Sequence, residues 1–159
     1  MNGSLVIRNC QRAFPVDARR FREMTRELLE NLLNLDGFDL AIHLVDAREM
    51  ARINETFLQH EGSTDVITFD YAEGTGGALH GEIIICPAEA AAYARRFRTT
   101  WQSELARYAI HGVLHLRGFD DTTPPARRKM KREEGRLLRH LSRSFPVTTL
   151  AKRPPRRAR

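Results

Sequence analysis

The 159-residue sequence has few cysteines and no long apolar segment. Its two cysteines, Cys10 and Cys86, are too few for a Cys-rich zinc site or for the disulfide framework of a small exported domain. The sequence has no run of about 18 apolar residues, which argues against a membrane-spanning helix. The first residues, MNGSLVIRNC, do not have the charged-then-apolar pattern of a signal peptide. We therefore expect a cytoplasmic location.

Acidic residues become scarce in the last quarter of the chain. Residues 122–159 contain 13 Lys and Arg against 2 Asp and Glu, whereas residues 1–121 contain 13 against 18. This asymmetry is typical of an extension that binds nucleic acid, and a solvated helix face with a disordered tail is the alternative. The length and the 42% of apolar residues fit one folded domain. We expect a domain over residues 1–142 and a basic, flexible tail over residues 143–159.

Apolar periodicity predicts elements in the order β-α-β-α-β-β-α-α-α. Strands are predicted at residues 4–9, 39–45, 66–71 and 81–86. Helices are predicted at residues 16–35, 47–58, 87–98, 101–116 and 124–141. Asp46 and Glu49 form a capping-box pattern, and Gly118 is suited to end the fourth helix. The order predicts a single α+β (mixed α/β) domain with a four-stranded sheet and about five helices.

The segment HGVLHLRGFDD carries the strongest chemical signal. His111 and His115 are four residues apart on a predicted helix, so their side chains leave the same face. Gly118 then turns the chain back and brings Asp120 or Asp121 towards the two imidazoles. Two ligands from a helix, one from the following turn and an open fourth position form the pattern of a catalytic zinc site. The alternative is a pair of helix-surface or hydrogen-bonded core histidines.

The same segment resembles the motif H-G-x-L-H-L-x-G-[aromatic]-x-H of the YbeY family, bacterial metal-dependent endoribonucleases that act in rRNA maturation. STDVITF and the later Gly-Glu-Ile resemble two further motifs of this family, and the order of elements agrees over about residues 1–142. The resemblance implies the α+β fold and three metal ligands, here His111, His115 and Asp121. Asp121 stands where the family pattern has a third histidine.

The resemblance implies a single-strand-specific endoribonuclease that processes the 3′ end of 16S rRNA and takes part in ribosome quality control. Its cofactor would be one Zn²⁺ per chain, and the carboxylate ligand widens the range of acceptable divalent ions. Its partners would be rRNA, the small ribosomal subunit and ribosome-associated proteins, with neither a membrane nor specificity for DNA.

Two other functions stay open. One is a non-catalytic ribosome-assembly or RNA-binding factor with a structural metal. The other is a metallohydrolase that acts on a small or peptide substrate. Gly112 argues against the peptidase version, because it stands where H-E-x-x-H metalloproteases have their general base.

The sequence does not assign a general acid or base beyond a metal-bound water. Many family members have an arginine shortly before the S-T-D-V stretch, and Leu58 occupies that place here. His60, Glu82 and Asp120 are the remaining candidates. The alternatives are that His60 is an exposed loop histidine, that Glu82 is a solvated strand residue and that Asp120 orients a metal ligand.

RNA binding is expected from cations close to the histidine helix, namely Arg95, Arg96, Arg98 and Arg117. Tyr93, Phe97 and Trp101 have the spacing of either a stacking surface or a helix face in the core.

Overall fold

The computed structural model describes residues 2–58, 64–72 and 78–154. Within these ranges the chain forms one sheet with the strand order β1-β2-β4-β3. The strands are β1 (Asn2–Asn9), β2 (Gly37–Leu44), β3 (Val66–Asp70) and β4 (Leu79–Ile85). Strands β1, β2 and β4 are parallel, and β3 is antiparallel to β4. The predicted four-stranded sheet is confirmed.

Five α-helices occur in the described ranges: α1 (Ala18–Arg26), α2 (Ala47–Leu58), α3 (Pro87–Phe97), α4 (Trp101–Leu116) and α5 (Pro124–Ser144). A π-helical segment (Glu27–Leu32) continues α1, and a 3₁₀ turn (Val147–Leu150) follows α5. The helix predicted from residue 16 begins at Ala18, because the Asp17 side chain accepts a hydrogen bond from the Arg20 N–H and caps the helix there. None of the described helices has both the length and the apolar character needed to span a membrane.

The main core lies between one face of the sheet and the helices α1, α4 and α5. Helix α4 approaches β4 so closely that a Cβ atom at Gly112 would lie 2.7 Å from Cγ2 of the buried Ile83. The absence of a side chain at Gly112 therefore sets the depth at which α4 sits on the sheet. A smaller core cluster on the other sheet face includes Met50 and Ile53 of α2 with Ile84 of β4.

Part of the segment that we expected to be a flexible tail packs against the domain. Phe145 and Leu150 are buried, and Nε and Nη2 of Arg20 donate to Oγ1 of Thr149 at 3.0 and 2.9 Å. The Lys152 N–H donates to the carbonyl of Pro15. Apolar residues beyond α5 therefore help to complete the core of the domain that we expected to end at residue 142. Residues 155–159 lie outside the described ranges.

Candidate metal centre

The end of α4 returns the chain towards its own histidines. Gly118 has a φ of 97°. Its N–H donates to the carbonyl of His115, and the N–H of Phe119 donates to that of Leu114, each at 3.0 Å. This pair of bonds defines a helix end that needs a left-handed residue, which glycine adopts without steric cost. Phe119 then packs against the core, and Asp121 is placed beside both imidazoles.

Three side chains converge at this point. The Nε2 atoms of His111 and His115 lie 2.9 Å apart, and Oδ2 of Asp121 lies 3.6 Å and 3.4 Å from them, respectively. A tetrahedral ion with bonds of about 2.0–2.1 Å needs ligand atoms about 3.3 Å apart, which falls within this range of separations. The two-nitrogen, one-oxygen donor set therefore fits a divalent cation and leaves a fourth position for another ligand.

Glu134, buried on α5, orients His111. Its Oε1 accepts a hydrogen bond from Nδ1 of His111. A neutral His111 therefore carries its proton on Nδ1 and presents the lone pair of Nε2 to the site. Burial lowers the pKa of His111, but the hydrogen bond and charge of Glu134 and the charge of Asp121 outweigh burial and raise the pKa above its ordinary value.

Asp120 is the competing candidate for the third ligand, but its carboxylate already accepts hydrogen bonds within the turn. Its Oδ1 accepts from the N–H groups of Asp121 and Thr122 at 2.7 and 3.1 Å, and its Oδ2 accepts from Oγ1 of Thr122 at 2.6 Å. The hydrogen bonds from Thr122 lower the pKa of Asp120. The geometry therefore favours Asp121 over Asp120 as the third ligand.

The other candidates for acid–base chemistry are not brought to the centre. Ile83 faces α4, so the alternation of β4 directs the neighbouring Glu82 to the opposite sheet face. There the Tyr71 hydroxyl donates to Glu82 at 2.9 Å, and Nε2 of His43 lies 3.2 Å from it. The hydrogen bond from Tyr71 and, to a smaller extent, that from His43 lower the pKa of Glu82, although burial opposes them. His60 lies outside the described residues.

A cleft of about 510 Å³ extends from the candidate metal centre between α3, α4 and α5. Its cationic residues are Arg107, Arg127 and Lys131. Nε of Arg107 lies 3.8 Å from Oε1 of Glu104, and its Nη1 lies 3.8 Å from Oε2 of Glu134. Glu104 is buried, and this burial raises the pKa of its carboxyl group. The charge of Arg107 partly opposes the increase, and the charge of Glu134 adds to it.

Of the residues expected to bind RNA, the structure places the arginines outside the cleft and two aromatic residues inside it. The side chains of Arg95, Arg96, Arg98 and Arg117 are exposed, but none of them lines the cleft. Tyr93 and Phe97 do line it, with ring centroids 4.4 Å apart. The Trp101 ring instead packs against Phe14, at 5.9 Å.

Sequence reasoning missed the buried carboxylates of Glu104 and Glu134. A signal for Glu134 was present, because it lies on the helical stripe that also contains Met130, Leu137 and Leu141. A carboxylate on the apolar stripe of a helix is rarely buried without a partner. The pattern does not reveal that this partner is a histidine on another helix.

Comparison with known proteins identifies the family. A family model described as Endoribonuclease YbeY matches residues 6–142. The chain belongs to the YbeY family. Its relatives include the Endoribonuclease YbeY of Chlorobium luteolum, 43% identical over 67% of this chain and 77% of the relative. The Endoribonuclease YbeY of Acidothermus cellulolyticus is 33% identical over 77% of this chain and 82% of the relative.

The solution structure of TM1509 from Thermotoga maritima has a similar fold. It superposes with a TM-score of 0.65 over 96% of this chain and 99% of that one, at 23% sequence identity. The expected family and the α+β fold are therefore confirmed. Membership of the YbeY family also makes the chain a metal-dependent endoribonuclease, a hydrolase of phosphodiester bonds, as expected.

Proposed function

We propose that this YbeY protein cleaves single-stranded RNA in the cytoplasm during rRNA maturation, at the 3′ end of 16S rRNA, and takes part in ribosome quality control. The convergence of His111, His115 and Asp121 within 4.8 Å of one another is the observation that carries the proposal. His111 and Asp121 also line a cleft that contains three cationic residues among its carboxylates, and cations of this kind favour the binding of a polyanion.

The proposed ligands of a zinc ion are Nε2 of His111, Nε2 of His115 and Oδ2 of Asp121. Imidazole nitrogen and carboxylate oxygen are ordinary zinc ligands, and three of them leave an open position of the catalytic kind. Glu134 holds the His111 ring through Nδ1, which leaves Nε2 free to bind the ion that the three side chains would hold. When bound, the ion supplies Lewis acidity that activates water and polarises a phosphoryl oxygen.

The cleft cations serve substrate positioning in this proposal. Arg107, Arg127 and Lys131 line the same space as His111 and Asp121. Their charges attract the phosphates on either side of the scissile bond without selecting a base sequence. The exposed arginines Arg95, Arg96, Arg98 and Arg117 and the arginines of residues 155–159 would extend this contact along rRNA of the small ribosomal subunit.

The test combines elemental analysis with an RNA cleavage assay, with and without a chelator. We expect one zinc ion per purified chain and cleavage of single-stranded RNA that the chelator abolishes. Asp121→Ala is expected to lose both stoichiometric zinc and activity. Asp120→Ala is the matched control, because it removes the adjacent carboxylate that serves the turn, and it is expected to retain zinc.

Two results would contradict the proposal. Zinc retained at full stoichiometry by Asp121→Ala would remove Asp121 from the ligand set. Bound zinc without cleavage of any RNA would instead favour a ribosome-assembly factor with a structural metal. In that case, loss of zinc through His111→Ala would unfold the protein rather than leave a folded, inactive one.

A further inference from the structure

The cleft beside the candidate metal centre contains a buried carboxylate that the proposed chemistry does not use. Glu104 is only 4% exposed and lines the cleft. Among the described residues, its Oε2 has no hydrogen-bond partner. Its Oε1 lies 3.8 Å from Nε of Arg107, which is longer than a hydrogen bond. A buried carboxylate oxygen without a donor is costly, so this group is suited to a ligand that brings N–H donors.

The position of Glu104 relative to the centre suits a neighbouring nucleotide. Glu104 precedes His111 by seven residues on α4, which corresponds to about 10 Å along the helix axis. Both residues line the same cleft. A chain of RNA with one phosphate at the centre can therefore place an adjacent base next to Glu104.

The rim of the cleft offers aromatic surface for that base. Tyr93 and Phe97 lie on α3 and are 43% and 55% exposed. Their rings are tilted by 31° to each other with centroids 4.4 Å apart, and the guanidinium of Arg96 lies 5.4 Å from the Phe97 ring centroid. Single-stranded RNA is bound by stacking on such rings while the Watson–Crick edge of the base is read by polar groups.

We infer that this part of the cleft is a nucleobase subsite, an inference that rests on the proposed function. In it a guanine stacks on the outside of the Tyr93–Phe97 pair, and the carboxylate of Glu104 accepts hydrogen bonds from the guanine. An ionised carboxylate only accepts hydrogen bonds. Guanine alone among the four bases has two adjacent donors, N1–H and the N2 amino group, on its Watson–Crick edge. Uracil places two carbonyl oxygens beside its single N–H, and adenine and cytosine each place an acceptor beside one amino group.

The test measures binding of 5′-fluorescein 2′-O-methyl pentanucleotides, which resist cleavage, to the purified metal-containing protein at pH 8. The central base is guanine, inosine or adenine between uracils, and binding is followed by fluorescence anisotropy. We expect the guanine oligonucleotide to bind at least about 5-fold more tightly than the adenine one. Inosine, which lacks the N2 amino group, is expected to lie between them.

Two variants separate the roles within the subsite. Glu104→Gln is expected to reduce the guanine preference to less than about 2-fold. Phe97→Ala is expected to weaken binding of all three oligonucleotides by about 5-fold or more and to leave their ratio unchanged. The controls are Glu133→Gln, which removes a charge from α5 outside the cleft, and Phe57→Ala, which removes an aromatic ring that is 60% exposed on α2.

Each outcome bears on the subsite separately from the nuclease activity. Equal binding of the three bases by the wild type, or an unchanged guanine preference in Glu104→Gln, would overturn the inference even if RNA is cleaved. A guanine preference lost through Glu104→Gln would support the subsite even if no RNA is cleaved. If Glu104→Gln does not fold, Phe97→Ala still tests the subsite, because this side chain is exposed. A loss of oligonucleotide affinity in Phe97→Ala no larger than that in Phe57→Ala would overturn the inference.

Discussion

The Gly112→Ala variant tests whether the close approach of α4 to β4 holds the histidines in place. A Cβ atom at Gly112 would lie 2.7, 2.9 and 3.2 Å from three carbons of Ile83. Ile83 is fully buried and β-branched, so its side chain has little freedom to move aside. The clash between the new Cβ atom and Ile83 is relieved only if α4 moves away from the sheet. Overpacking of this kind costs about 1–3 kcal/mol of stability.

Replacing a glycine within a helix by alanine also stabilises the helix by about 1 kcal/mol. The measured loss of unfolding free energy in Gly112→Ala is therefore the overpacking cost minus this stabilisation. Gly135→Ala in α5 isolates that contribution, because its Cβ would meet only the end of the Arg139 side chain, at 3.3 Å. The difference between the two variants therefore equals the overpacking cost of about 1–3 kcal/mol. For a chain of this length it corresponds to a melting temperature about 2–12 °C lower for Gly112→Ala than for Gly135→Ala.

The assay is thermal unfolding followed by circular dichroism, with zinc titration of both variants. Because His111 and His115 flank the displaced part of α4, Gly112→Ala is also expected to bind zinc more weakly than the wild type. Gly135→Ala is expected to bind it normally. Equal melting temperatures for the two variants would refute the idea that the packing of Gly112 on Ile83 sets the position of the helix.

Two further predictions concern Glu134 and the C-terminus. Glu134→Gln removes the charged acceptor from Nδ1 of His111 and is expected to weaken zinc binding about 10- to 100-fold in calorimetric titration, and an unchanged affinity would contradict its orienting role. A chain that ends at Pro154 is expected to keep its melting temperature, because the buried Leu150 is retained. The affinity of the protein for single-stranded RNA falls as salt is added. Because the shortened chain lacks three arginines, the negative slope of log affinity against log salt is expected to become shallower by up to about 2. Unchanged binding at low salt would show that residues 155–159 do not contact RNA.

The elements and the two-histidine face were predictable from the sequence because they depend on neighbours in the chain. A spacing of four residues places His111 and His115 on one face of any α-helix. The hydrogen bonds that end α4 join Gly118 and Phe119 to carbonyls only three and five residues earlier. Similarly, Thr123 caps α5 through a bond to the N–H of Ala126.

The tertiary structure decided which polar groups join the histidines. Glu134 follows His111 by 23 residues, and its contact depends on how α5 packs against α4. Glu82 belongs to a matching family motif, yet the alternation of β4 turns it to the opposite face of the sheet. The basic composition of the C-terminal segment concealed Leu150, which is buried at a site that only the assembled helices form.

The sequence by itself therefore determined the order of elements, the histidine pair and the turn that carries Asp121. The tertiary structure decided the orientation of His111 by Glu134, the cleft between α3, α4 and α5 and the burial of the Glu104 carboxylate in it. Local structure follows from backbone hydrogen bonds and side-chain spacing over a few residues. Contacts between distant segments instead depend on the packing of whole helices, which no short pattern specifies.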